Sequence, residues 1–189
     1  MSSLFDSDDI QLMQNAEFIE RKNALLKEFI ELLAAHGENL QQTYGEAFAQ
    51  SPLPKVNRGE NYKGFPYLVM DFPRVFSKQH VFAFRTLFWW GHFVSCTLHL
   101  KGDFLNDYSE RIPQLINLSK QSDLQIRCSI QGNEWNHNAL SDEYFDPQKL
   151  STEQQMDFFK LTTILPLHEI NCLHDFLDES HKRILYPLI

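Results

Sequence analysis

The stretch Val81-Phe82-Ala83-Phe84-Arg85-Thr86-Leu87-Phe88-Trp89-Trp90-Gly91-His92-Phe93-Val94-Ser95-Cys96-Thr97-Leu98-His99-Leu100-Lys101 decides the fold. Two runs dense in aromatic and β-branched residues flank Gly91-His92, and glycine first in a two-residue loop is the signal of a type II′ hairpin. Arg85, Gly91, His92 and His99 interrupt the run and argue against a membrane span. A pivot at Gly91-His92 predicts that Trp90 faces Phe93, Phe88 faces Ser95, Thr86 faces Thr97 and Phe84 faces His99 on one side of a sheet. Ala83, Arg85, Leu87 and Trp89 then share the other side with Val94, Cys96, Leu98 and Leu100.

That register places Arg85 in an apolar layer. A guanidinium keeps its charge and loses its water there, so it requires a partner. Asp71, flanked by apolar residues on the preceding strand, is the nearest by topology, and a structural Asp71–Arg85 ion pair is expected, with Arg74 as a second participant. The opposite layer mixes rings with hydrogen-bonding tips. Phe84, Thr86, Trp90, Thr97, His99 and Arg127 form the candidate ligand-binding set, because an aromatic floor with a few convergent polar groups is how pockets are lined. A second core layer under helices and a homodimer interface are the competing readings of the same face.

Outward from the hairpin, the segment from Asp8 to about Phe48 has helical periodicity. Leu12, Ile19, Leu26, Leu33 and Leu40 recur every seventh position, Asp6 to Asp9 supply capping chemistry, and Gly37 predicts a break. Asn15 and Lys22 spoil a strict coiled-coil seam, which favours a core-facing helix while leaving helix-mediated dimerisation as an alternative. Residues 50–64 carry Pro52, Pro54, Gly59 and Gly64 among polar residues and read as a long loop. Tyr67 to Asp71 reads as a strand that Pro73 forces to an edge or a bulge.

After Gly102 a helical stretch extends to about Gln121, with Pro113 in the first turn of its main helix. Residues 124–131 alternate as a half-exposed strand, and 132–150 form a second polar loop containing Trp135, His137, Asp142 and Glu143. Ser151-Thr152-Glu153-Gln154 has capping-box spacing and predicts a helix through Phe159 and Thr163, ended by Pro166, before a last helix from about Leu167 to Ile184.

The expectation is therefore one α+β domain over residues 1–189, with a small, mainly antiparallel sheet of about four strands packed by N- and C-terminal helices. Both hairpin faces are apolar, so helices or a second subunit must cover both.

Composition narrows the function classes. A net charge of -8 without a basic patch disfavours nucleic acid. Cys96, Cys128 and Cys172 are odd in number, far apart and among apolar neighbours, so they read as buried thiols in a reducing, cytoplasmic setting; the first residues carry no secretory pattern. His168, His174 and His181 with Asp175 and Asp178 share the last helix, but they lack a metal-site motif and read as solvated charges. No nucleophile elbow, phosphate-binding loop or cofactor fingerprint is present. Two functions follow: a homodimeric, non-catalytic small-molecule or protein-binding domain that uses the aromatic face or the loops at 50–64 and 132–150, or an enzyme in which His99, Arg127, Thr97 and His137 converge on a pocket floored by Phe84 and Trp90.

Overall fold

The computed structural model describes residues 4–119, 123–151 and 154–189. A six-stranded antiparallel sheet forms its centre, with strands β1 (Lys55–Tyr62), β2 (Phe65–Phe76), β3 (Val81–Trp89), β4 (Phe93–Lys101), β5 (Gln125–Ser129) and β6 (Phe159–Pro166) in the order β1-β2-β3-β4-β6-β5. Helices α1 (Ser7–Gln14), α2 (Ala16–Tyr44), α3 (Asp103–Asp107), α4 (Ile112–Ser119) and α5 (Leu173–Ile184) precede, interrupt and follow the strands.

The hairpin forms, but its pivot is displaced by one residue. Trp90, Gly91 and His92 make a three-residue turn, so Trp89 pairs with Phe93, Leu87 with Ser95, Arg85 with Thr97, Phe84 with Leu98 and Ala83 with His99. Two interactions hold this turn. The Trp90 N–H bonds to the Pro66 carbonyl of β2 at 3.0 Å, and the His92 ring stacks on Trp89 at 3.6 Å, while Gly91 takes a φ of +75° that side chains resist. Since side chains alternate strictly along a strand, the slip keeps each face of β3 intact and turns over the whole of β4 relative to it.

The helix-covered face consequently holds Phe82, Phe84, Thr86 and Phe88 with Val94, Cys96, Leu98 and Leu100, and packs beneath Leu26, Leu33 and Leu40 of α2 and Leu173, Phe176 and Leu177 of α5. Phe29 stacks on Phe88 at 4.1 Å. The second face carries Asp71, Arg85, Thr97 and His99, and the segment after β5 covers it, not a helix.

Two of the six strands depart from the expectation of about four. β1 occupies the segment read as a loop; as an edge strand it pairs on one side only and needs little apolar content, so Asn57, Arg58, Glu60 and Asn61 can line it. β6 occupies the segment read as a helix. Its residues Phe159 to Leu165 are all buried, and a short run buried on both faces has no clear strand or helix periodicity. Of the capping box proposed before it, Thr152 and Glu153 lie outside the described residues.

The helices differ in detail. α2 continues through Gly37 for 29 residues, and the break falls at Asn15, whose side chain caps Phe18 N. Gly37 serves close approach: a Cβ there would meet Pro54 Cβ at 2.9 Å and Met70 Sδ at 3.2 Å. The stretch after Gly102 divides into α3 and α4, the latter starting at Ile112 with Pro113 in its first turn; Gln121, its expected limit, lies outside the described residues. The chain from Leu167 to Cys172 is a 3₁₀ segment, and the α-helix starts at Leu173. Pro73 sits within a bulge between Asp71 and Arg74 of β2. Cys96 and Cys128 are buried and Cys172 is exposed, contrary to the expectation of three buried thiols. Among the described residues no helix is long and apolar enough to cross a membrane.

Candidate functional site

Antiparallel pairing lines up one residue per strand, and on the second face one such row reads Lys55, Asp71, Arg85, Thr97, Thr162 and Arg127 across all six strands. The next row contains Ala83, His99, Lys160 and Ser129. Polar residues at these positions would hydrate an open sheet face. Here residues 133–145 fold over all but the edge residue Lys55, so the buried groups need partners inside the protein, although His99 Nε2, Arg127 Nε and Ser129 Oγ make no hydrogen bond among the described residues.

Arg85 and Asp71 do so bidentately. Arg85 Nε donates to Asp71 Oδ1 at 2.7 Å and Nη2 donates to Oδ2 at 2.9 Å, the fork geometry that suits guanidinium and carboxylate. Arg85 Nη1 donates to His137 Nε2 at 2.8 Å. A guanidinium cannot accept, so His137 Nε2 is unprotonated in this arrangement. Burial, followed by the charges of Lys160 and Arg85, holds the His137 pKa well below its ordinary value, which agrees with that geometry. The His137 backbone N–H is held by Tyr62 Oη at 2.8 Å, so the hydroxyl of β1 places the covering segment over the guanidinium.

Lys160 lies deeper. Its ammonium donates to the carbonyls of Asn136 at 2.5 Å and Glu134 at 3.2 Å and sits 5.1 Å over the Tyr144 ring. Burial first, and Arg85 second, lower its pKa to about 7. His99 stands beside it with Trp135 and Phe158 packed edge-on at 5.6 and 5.8 Å. Burial, with the cations Lys160, Arg85 and Lys101, lowers its pKa to about 3, so it is neutral at physiological pH. Its 3.5 Å contact with Glu134 is too long for a strong hydrogen bond; Glu134 is engaged instead by Lys101 at 2.6 Å. Thr97 and Thr162 share a hydrogen bond of 3.0 Å, and Arg127 donates to the Tyr144 carbonyl.

Between this row and the covering segment opens a cleft of about 280 Å³ lined by Tyr62, Tyr67, Val69, Arg85, Leu87, Trp135 and His137. Larger depressions of about 540 and 570 Å³ lie along α2, against β1 and against α5, away from the Arg85 and Lys160 cluster. The smaller cleft is the one where aromatic walls meet buried charge.

The sheet divides the ligand set expected from sequence. Phe84 and Thr86 are fully buried under the helices and Trp90 is half-buried beside them, whereas Thr97, His99 and Arg127 lie on the second face. His137 joins the second-face group; a floor of Phe84 and Trp90 beneath it does not form. Arg74 turns away and donates to the Leu53 carbonyl. His168, on the 3₁₀ segment before α5, is exposed 3.4 Å from Glu169, and His174 lines a depression with His36 and Asp178, while His181 is buried, bonded to Tyr44 Oη at 2.9 Å and 3.4 Å from Asp178. Among the described residues no group of His, Cys, Asp and Glu is arranged to hold a metal ion.

Tyr62 and Lys160 escaped the sequence reading because β1 and β6 did, whereas Tyr67, on β2, and Glu134, in the covering segment, lie in stretches whose reading assigns them no role. The available signal was Lys160 itself, a lone cation within Phe158-Phe159-Lys160-Leu161, the same pattern that singles out Arg85. No protein-family model, no curated protein sequence and no solved structure matches this chain.

Proposed function

We propose that this chain is a non-catalytic binding protein whose ligand is a small planar molecule with a hydrogen-bond acceptor, held in the cleft above Arg85. The observation that carries this reading is the cleft itself, in which Tyr62, Tyr67 and Trp135 frame a charged base. Of the five N–H groups of a guanidinium, Asp71 takes two and His137 takes one, which leaves two for an incoming carbonyl or carboxylate. Aromatic walls favour a flat ring by stacking. At about 280 Å³ the space suits a ligand near the lower size limit of ordinary pockets, roughly 300 Å³.

Of the groups with perturbed titration, His137 and Tyr62 line the cleft, where His137 Nε2 is engaged by Arg85 and Tyr62 Oη by the His137 amide, while Lys160 and His99 do not line it. Lys160 is 1% exposed and directs its ammonium at two backbone carbonyls, and His99 packs under Trp135. They position the covering segment, which favours binding over catalysis.

A thermal-shift screen of planar carboxylates and heteroaromatic amides, followed by calorimetry of the hits, tests this. Val69→Phe adds a ring inside the cleft while leaving the Asp71–Arg85 pair in place. It is expected to weaken binding by about tenfold or more, since each ~1.4 kcal/mol is a factor of ten. Unchanged affinity in a folded Val69→Phe variant would place the ligand elsewhere and overturn the proposal.

A further inference from the structure

The apolar stripe of α2 outruns the sheet it covers. Leu26, Leu33 and Leu40 are buried, and their stripe continues N-terminally to Lys22, Ile19 and Phe18, where Ile19 and Phe18 are each 48% exposed. α1 adds Leu12 and Met13, 68% and 64% exposed, and has no buried residue. Residues 7–14 and 16–25 therefore form an arm of two exposed helical segments joined at Asn15, about 12 and 15 Å long at 1.5 Å per residue.

Acidic and basic positions of the arm fall opposite one another in an antiparallel pair. Asp8 follows the cap Asp6 on α1, and Lys22 lies on α2, equally far in sequence from the break at Asn15. Asp8 stands one helical turn before Leu12, on its face, and Lys22 stands one turn after Phe18, on its face. Glu17 and Glu20 fall on the other side of α2 from Phe18 and Lys22 by helical periodicity. An antiparallel copy turned about a two-fold axis near Asn15 sets Leu12 against Phe18 and Asp8 against Lys22, twice over by symmetry. A parallel copy would instead set Asp8 against Asp8. The acidic residues of the first turn also disfavour an anionic lipid surface.

We propose that the arm of residues 7–25 pairs antiparallel with the arm of a second copy of this chain, through Leu12, Met13, Phe18 and Ile19 and the reciprocal Asp8–Lys22 contacts. An exposed apolar patch on a monomer is typically on the order of 300–600 Å², below the ~800 Å² per partner of a standard interface. The dimer is accordingly weak and concentration-dependent.

Sedimentation equilibrium of the full chain from about 1 to 200 μM tests this. The expected result is a reversible monomer–dimer equilibrium that loosens with added salt. Phe18→Ser with Ile19→Ser, at exposed positions that leave the body intact, shifts it to monomer. Lys22→Glu alone weakens the dimer about tenfold, and adding Asp8→Lys in the same chain restores it; Asp8→Lys leaves the Asp6–Asp9 capping box in place. A wild-type chain that stays monomeric throughout, a dimer indifferent to the Phe18/Ile19 change, a double charge swap that fails to recover, or adsorption of the arm to phosphatidylcholine vesicles in place of self-association would each overturn the proposal.

Discussion

Replacing Arg85 by Met removes the only cation bonded to Asp71 among the described residues and leaves a carboxylate that is 4% exposed. Losing one partner of a buried pair costs about 3–5 kcal/mol, because the remaining charge keeps its desolvation penalty without its compensation. The Arg85 side chain is 17% exposed, so some water reaches the pair and the lower end, about 3 kcal/mol, is expected. For a chain of this size each kcal/mol moves the unfolding temperature by roughly 2–4 °C, giving a fall of about 6–12 °C. Urea denaturation followed by tryptophan fluorescence at pH 7 measures it directly, with an unchanged slope showing that the unfolded state is the same. The companion variant, Arg85→Met with Asp71→Leu, replaces the whole pair by apolar groups and is expected to recover more than half of the loss. A single-variant loss below about 1 kcal/mol, or a double variant that loses the sum of both singles, would refute the claim that the two charges depend on one another.

The remaining predictions concern titration and packing. His36 and His99 are buried and His137 is half-buried, with pKa values lowered, to about 4 for His36 and about 3 for His99, so the unfolded chain binds more protons below pH 6.5 and stability is expected to fall as pH drops from 6.5 towards 4. Lys160, lowered from 10.5 to about 7, has the same sign in a higher window: stability rises between about pH 7 and 10.5, and Lys160→Met flattens that limb of a pH-resolved denaturation series. Gly37→Ala should destabilise by a net ~0–2 kcal/mol, because overpacking against Pro54 and Met70 costs about 1–3 kcal/mol and helix propensity returns ~1 kcal/mol; a net gain in calorimetry would show that α2 can shift.

What the sequence disclosed divides along physical lines. The alternation of β3, the need of Arg85 for a counter-ion and the choice of Asp71 all follow from local chemistry, and the bidentate pair joins those two residues. The partner face of β4 does not follow, because it depends on whether the turn holds two residues or three. That choice rests on Trp90 bonding to Pro66 and His92 stacking on Trp89, contacts that exist only once β2 and the hairpin have met. One residue of slip exchanged Thr97 and His99 from the Phe84 side to the Arg85 side, and so divided one expected pocket between two layers. β1 was concealed by the polar content an edge strand tolerates, and β6 by burial on both faces. With β6 went Lys160 and the row that gives the second face its chemistry. Residues 132–150, read as a functional loop, cover that row through Tyr62 Oη, Lys160 Nζ and Arg85 Nη1, bonds between segments far apart in the chain.

The central claim is that the second face of the sheet holds a ligand cleft based on Arg85. It is tested most directly by two-dimensional nuclear magnetic resonance of the labelled protein, titrated with planar carboxylate and amide fragments and monitored at Arg85 Nε–H, the Trp135 indole N–H and the His137 amide. Saturable shifts concentrated at these three groups, lost in Val69→Phe, are the predicted result. Fragments that instead move only residues along α2, such as Ala34 and Gln42, or none that move Arg85 at millimolar concentration, would contradict it.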